Sequence, residues 1–457
     1  MLKSCYFEDR YIDLGSVDSE ECNQFSIVVG RNGTGKSRLL SSLVQHFAPP
    51  PASDLPSRYH ADSRYLSSVK HDRVPSGVIA VSTSPFDKFP LGGSDASIDR
   101  YSYLGLRGLP SANLGLAFMS RIIGRLVGAI LRDVNRARVI GSTLDDLGYL
   151  PHLKARLLLQ IGKQEIQEFR AADDPVAFLL ANRRFGRPNR FGPQSTGYWP
   201  GVPRRLNDLD VIARAEELAL ALNQFLEFDT PSRQEILLDD NGITEVRYGI
   251  PVGSEHVTLM EAGLLRLKDV ELQKVGAREP FRISDASSGE QCVVMTLIGI
   301  ASHIADNALV CIDEPEVCLH PEWQERYMAK LMSTFSEFKG CHFVIATHSP
   351  QIIANLRDRN CFVTDMERGT TTTAAELSRR SADFQLANVF NAPGYKNEYL
   401  SRELIAALAT LSSEMDPPAS VMEKARQLVS FKPALHESDP LNGLIDMLAD
   451  ALSEVGR

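Results

Sequence analysis

Residues 25–47 read FSIVVGRNGTGKSRLLSSLVQHF. An apolar run ends in a glycine-rich turn, and an amphipathic stretch follows it. The pattern is a strand, a loop and a helix. Within it, Gly30-Arg31-Asn32-Gly33-Thr34-Gly35-Lys36-Ser37 fits GxxxxGK[ST] at every position. The glycines let backbone N–H groups converge on phosphate oxygens. Lys36 can reach the outer phosphates and Ser37 can ligate Mg²⁺. The helix that follows adds its positive end. Arg31, Asn32, Gly33, Thr34, Gly35, Lys36 and Ser37 are therefore the candidate contacts to ATP.

A second cluster lies far downstream. NALVCIDEPEVCLHPEWQERY carries a buried-strand run, Ala308 to Ile312, that ends in Asp313-Glu314. Two acids at a strand tip suit a P-loop partner. Asp313 would hold Mg²⁺ and Glu314 would orient or deprotonate the attacking water. Next, GCHFVIATHSPQII gives another apolar strand, Phe343 to Ala346, ending in Thr347-His348-Ser349. A histidine at a strand tip beside Asp-Glu is placed to touch a terminal phosphate. Alone, His348 would read as a structural polar residue.

The rest of the chain sets bounds. It has 457 residues, 43% hydrophobic and 23% charged, which suits one large domain with an insertion or two to three domains. A net charge of -9 argues against a whole-molecule polyanion binder, so any nucleic-acid contact must be a local patch. The seven cysteines form no CxxC or metal-ligand pattern. Cys292, Cys311 and Cys341 lie in apolar runs and read as small core residues in a reducing compartment. MLKSCYFEDRYIDLG lacks the apolar segment of a secretory leader, so a cytoplasmic location is expected. The most membrane-like stretch, LGLAFMSRIIGRLVGAILRDV, is interrupted by Arg121 and Arg125. Met119, Ile122, Ile123, Leu126, Ile130 and Val134 fall at helical spacing, so a buried helix is expected rather than a span.

Asp285-Ala286-Ser287-Ser288-Gly289-Glu290-Gln291 precedes an apolar helix, CVVMTLIGIASHIA, and stands shortly before Asp313. A polar turn entering a helix can hold an anion. In the order P-loop, this turn, Asp-Glu, histidine, the chain resembles ABC-type ATPases. The turn sits where their LSGGQ signature stands, with Glu290 in place of the second glycine. That departure, and IDEPEVCLHPEWQ, resemble soluble relatives of the RecF and OLD type rather than transporters. The resemblance implies a P-loop ABC-type head with a mixed sheet and two heads facing each other. Ser288, Gly289 and Glu290 of one copy would then cover the ATP held by the other. No sustained heptads indicate an inserted coiled coil.

Further phrases, among them VIAVSTSPFDKFP, YSYLGLRG, GLLRLKDVELQK and SADFQLANVFNAPGYKNEYLSREL, resemble the ATPase subunits of Septu-type anti-phage systems, including retron-associated relatives. The likeness spans most of the chain and is patchy between about 110 and 240. It implies an ATPase that forms dimers or higher oligomers and regulates a separate HNH nuclease. A TOPRIM-type partner, a DNA-repair ATPase of the RecF kind, and an ATP-sensing scaffold with little turnover are the alternatives. No nuclease motif is legible in the chain. Its only DxD, Asp208-Leu209-Asp210, reads as the acidic start of a helix.

The expected organisation is an N-terminal lobe (1–106), a mainly helical insertion (107–235), a second ATPase lobe (236–376) and a helical tail (377–457). One strand and several helices are expected after His348. The stretch 183–205 holds six Arg, no acid and four aromatics among four Gly and four Pro. Arg with aromatics could bind phosphates and stack bases. A docking or structural loop pairing with acids elsewhere is the plainer reading. The resemblance also implies a Q-loop glutamine, which has no match in STSPFDKFP.

Overall fold

The computed structural model describes residues 1–457 other than 18, 20, 50–64, 92–99, 108, 110–113, 182–207, 228–232, 355, 357, 358, 378, 379, 414–416, 456 and 457. The Arg/aromatic stretch 183–205 lies outside the described residues.

The P-loop strand Gln24–Val29 is buried along its whole length. It lies between His342–Ala346 and Cys361–Asp365 in a seven-stranded sheet. Beyond His342–Ala346 come Leu309–Asp313, Val78–Ser82 and Tyr101–Gly105, all parallel. Continuous apolar runs are what a parallel sheet covered on both faces requires. The far edge, Thr370–Thr373, pairs antiparallel with Cys361–Asp365. So two strands follow His348 rather than one. The short threonine run Thr370–Thr373 lacks the apolar alternation that would have announced the second.

Register decides where the site forms. Asp313 stands opposite Ala346 on one side and Ser82 on the other, and Ala346 stands opposite Val28. The carboxyl ends of four strands therefore finish level, at the edge where ligands bind in open parallel sheets.

One face of the sheet carries the helix Lys36–Phe47 and a three-stranded antiparallel sheet of Arg10–Asp13, Leu2–Phe7 and Leu66–His71. The other face carries the larger core, under helices Leu114–Arg132, Asn135–Asp146, Ser288–Ala301 and Pro321–Thr334. Val293, Val294, Leu297, Ile298 and Ile300 of Ser288–Ala301 are at most 1% exposed. Each such burial contributes about 1.5–3 kcal/mol.

The membrane-like stretch is this core's helix Leu114–Arg132, and no described helix is long and apolar enough to cross a membrane. Arg121 donates to the Gly105 carbonyl at 2.6 Å and lies over the Tyr103 ring. Val134 is exposed, because the helix ends before it.

The insertion is built mainly of helices, Leu114–Arg132, Asn135–Asp146, Lys163–Ala171, Pro175–Ala181 and Asp208–Leu226, and it also supplies strands to a sheet. Leu153–Leu159 and Arg233–Asp239 join Gly242–Glu245, Leu265–Leu272 and Phe281–Arg282 in a five-stranded antiparallel sheet. This sheet takes strands from both sides of position 235. It sits directly before the signature turn. Asp208 opens the helix Asp208–Leu226, as its acidic start suggested. The tail helices Glu398–Ser413, Ala419–Val429 and Leu441–Val455 close over their own apolar cluster, which includes Leu400, Leu404, Leu428 and Ile445. The whole is an α/β P-loop head with a helical tail.

Candidate functional site

The loop after Val29 turns on glycines at positive φ, at Gly33 (85°) and Gly35 (100°). Gly35 caps the helix Lys36–Phe47 in the left-handed region with no side-chain acceptor, so the helix N–H groups stay available to a ligand. A Cβ on Gly33 would meet nothing within 4 Å, and Arg31, Asn32 and Gly33 are exposed. The result is an open concavity of donors at a helix N-terminus, suited to an anion.

Lys36 is only 4% exposed. Its ammonium donates to the carbonyls of Gly30 (2.8 Å) and Arg31 (3.1 Å) and lies 3.3 Å from His348 Nδ1. Burial lowers its pKa to about 8, while Glu314, Asp313, Glu316 and Glu367 oppose that shift. Ser37 Oγ donates to Asp313 Oδ1 at 3.0 Å. Asp313 is 2% exposed, and burial raises its carboxyl to about 7 against the Ser37 hydrogen bond. A hydroxyl and a buried carboxylate side by side are hard oxygen donors, and the buried charge calls for a cation. Both features fit Mg²⁺. Among the described residues no group of three or more His, Cys, Asp or Glu could hold a metal. The fit therefore suits an ion that keeps waters and takes phosphate oxygens.

Glu314 adopts φ 49° and ψ 57°, a left-handed conformation that costs a non-glycine residue about 1–2 kcal/mol. Its N–H donates to the Ala346 carbonyl at 2.9 Å, and its carbonyl accepts from Thr83 Oγ1 at 3.2 Å. These two bonds hold the strained residue. Its carboxylate lies 3.3 Å from His348 Nε2. His348 thus bridges Lys36 and Glu314. The geometry fits a neutral ring that accepts at Nδ1 and donates at Nε2. Burial, then the nearby ammonium, lowers the His348 pKa, which keeps that form. The His348 N–H donates to Glu316, whose own carboxyl is raised by burial.

Lys36, Ser37, Asp313, Glu314 and His348, all expected from the sequence, therefore meet at one sheet edge. Other expected contacts are arranged differently. Thr34 Oγ1 donates back to the Arg31 carbonyl at 2.9 Å. The Arg31 guanidinium turns to the tail and donates to the Asn391 carbonyl at 2.7 Å. Its backbone N–H donates to Glu367 at 3.1 Å. Ser288 is exposed at the start of its helix and Gly289 is buried. The Glu290 carboxylate is engaged by Tyr149 and Lys274. It is not a free nucleotide contact, because the Lys274 ammonium and the Tyr149 hydroxyl, at the rim of the insertion sheet, already hold it. Among the described residues no hydrogen bond or ion pair joins 287–291 to the P-loop of the same chain.

Glu316, Thr83 and Asp87 went unnamed in the sequence reading. Glu316 had a signal, as a second acid two residues beyond Glu314. Asp87 takes the Tyr103 hydroxyl at 2.5 Å and the Phe89 N–H at 3.0 Å, so STSPFDKFP supplies a buried carboxylate near Asp313 where no glutamine stands.

Residues 158–354 match the family described as AAA domain, putative AbiEii toxin, Type IV TA system. The match takes in the signature turn, the Asp-Glu pair and His348. The chain is 28% identical over 88 residues to the retron Ec83 probable ATPase of Escherichia coli, across 17% of this chain and 16% of that protein. It is 22% identical over 351 residues to protein ea59 of Escherichia phage lambda, across 74% of this chain and 48% of that protein. It thus spans less than half the length of these curated relatives. Among solved structures, the ADP conformation of MJ1267, an ATP-binding cassette of an ABC transporter, aligns over 85% of this chain and 96% of that one. The identity is 11% and the TM-score 0.25. Together with the motifs, the family match over residues 158–354 supports a P-loop ATPase of the ABC/AAA kind.

Proposed function

We propose that this chain binds ATP and Mg²⁺ at the P-loop edge and hydrolyses ATP to ADP and phosphate. We propose further that it does so as the nucleotide-driven subunit of an antiviral defence complex. The observation that carries the chemistry is the Lys36–His348–Glu314 chain beside the Ser37–Asp313 pair. Loop N–H groups and Lys36 bind the phosphates. Ser37 and Asp313 would hold the Mg²⁺, which neutralises charge on the phosphates. Glu314 orients water and takes its proton, while His348 fixes the Glu314 carboxylate and moves no proton at rest. Ser288, at an exposed helix N-terminus, meets the phosphates from a second copy, so the working unit is at least a dimer.

The defence setting rests on the likeness to a retron ATPase, on the match to a toxin family and on the sequence likeness to Septu-type ATPase subunits. A separate nuclease of the HNH kind is the proposed partner, and retron nucleic acid or phage DNA meeting 183–205 is a further one. Glu314→Gln tests the chemistry. It should retain ATP binding and lose turnover by about 10²-fold or more. Wild-type hydrolysis by Glu314→Gln would remove Glu314 as the base.

A further inference from the structure

Glu290 puts a carboxylate into the first turn of Ser288–Ala301, where an incoming phosphate would meet it. The surroundings answer that charge. Tyr149 Oη donates to Glu290 Oε1 at 2.5 Å, and Lys274 Nζ pairs with the same oxygen at 2.8 Å. Tyr149 is 3% exposed. Its ring lies 6.1 Å from that of Phe281, and the Lys274 ammonium sits over Phe281 at 5.3 Å. Tyr149 and Lys274 are also paired through their backbones in an antiparallel bridge. All three partners belong to the insertion sheet or its rim. On the opposite side, a Cβ on Gly289 would stand 3.4 Å from Trp323 and 3.5 Å from the Cys318 carbonyl and the His320 nitrogen. The turn is thus held between the insertion sheet and the segment after Asp313-Glu314, with Ser287 and Ser288 facing solvent.

We propose that Lys274 and Tyr149 are positioning residues for phosphate capture. They neutralise and turn aside Glu290, so that a signature turn carrying a carboxylate accepts the nucleotide of a second copy. This rests on the reading of the turn as a phosphate site acting between copies. Burial works to raise the Glu290 pKa, yet Lys274 and Tyr149 bring it below its ordinary value, so the carboxylate is ionised and needs its partner.

The test uses the full chain with ATP and Mg²⁺, and compares Lys274→Met, Lys274→Arg, Tyr149→Phe, Ser288→Arg and the double variant Lys274→Met/Glu290→Gln. Lys274→Met should lower kcat about tenfold, a change of one Coulombic contact's size, with ATP affinity at the P-loop and Tm unchanged. Lys274→Arg should keep the rate, and Tyr149→Phe should lower it less than Lys274→Met. The double variant should recover most of the rate, because no charge is left to neutralise. A purely structural tie would leave the double variant as slow as Lys274→Met, and that result overturns the proposal. So does wild-type kcat in Lys274→Met while Ser288→Arg is inactive. Wild-type kcat in Ser288→Arg instead removes the reading of the turn itself.

Discussion

Lys36 is the most constrained cation of the site. It is buried, held by two carbonyls, and faces His348 rather than a carboxylate. An ammonium parked on carbonyls can be taken over by phosphate oxygens without breaking an ion pair. Lys36→Ala should therefore weaken ATP binding itself, by about tenfold or more for a lost charge-assisted contact. Fluorescent-nucleotide titration checks it. The contrast with Glu314→Gln, which keeps binding, separates capture from chemistry. At this scale the sequence was most legible. Lys36 and Ser37 open the helix after the P-loop, and Asp313, Glu314 and His348 stand at or just past strand ends, because the chemistry needs those side chains there. The partners of Glu290 were not legible. Tyr149 is 141 residues away, and nothing in its own neighbourhood marks it.

At the scale of elements, the strand His342–Ala346 carries His348 at one end and a buried histidine at the other. His342 Nδ1 accepts the Leu2 N–H at 3.2 Å, and its Nε2 lies 2.8 Å from Ser26 Oγ, which itself donates to the Leu14 carbonyl. These partners fit only the neutral ring. Burial lowers its pKa to about 3. A histidine whose folded pKa is depressed binds its proton more readily when unfolded. Its stability contribution is thus fully present above the unfolded value of about 6.5 and is lost as pH falls from there toward 3. Denaturant unfolding of the wild type should weaken by a few kcal/mol between pH 7.5 and pH 4. His342→Gln should lose part of that slope. An equal slope in both would place the acid sensitivity elsewhere.

The insertion sheet shows where element-level reading ran out. Leu153–Leu159 has the alternating burial of a half-covered strand, yet its sequence, LKARLLL, is built from good helix formers. Its strand identity comes from pairing with Leu265–Leu272 and Arg233–Asp239, and local propensity does not carry that information.

For the whole molecule, one sheet edge gathers the P-loop, the acids and the histidine, while the turn 285–291 opens the helix Ser288–Ala301, which packs on one face of the same sheet. The turn is held by the insertion sheet and the segment after Glu314. The Arg31 guanidinium ties the P-loop to the tail at the Asn391 carbonyl, and its backbone N–H ties it to Glu367 in the turn after Cys361–Asp365. In the dimer proposed above, a head with its phosphate cradle open and Ser287 and Ser288 exposed would supply half of each of two sites, and symmetric pairing would complete both at once.

Mixing Lys36→Ala protein with Ser288→Arg protein tests this most directly. Each is expected to be inactive alone. In the mixed dimer one composite site is intact, so an equal mixture should recover about a quarter of wild-type ATP turnover. A mixture as inactive as its components, or a fully active Ser288→Arg protein alone, would contradict a site shared between two copies.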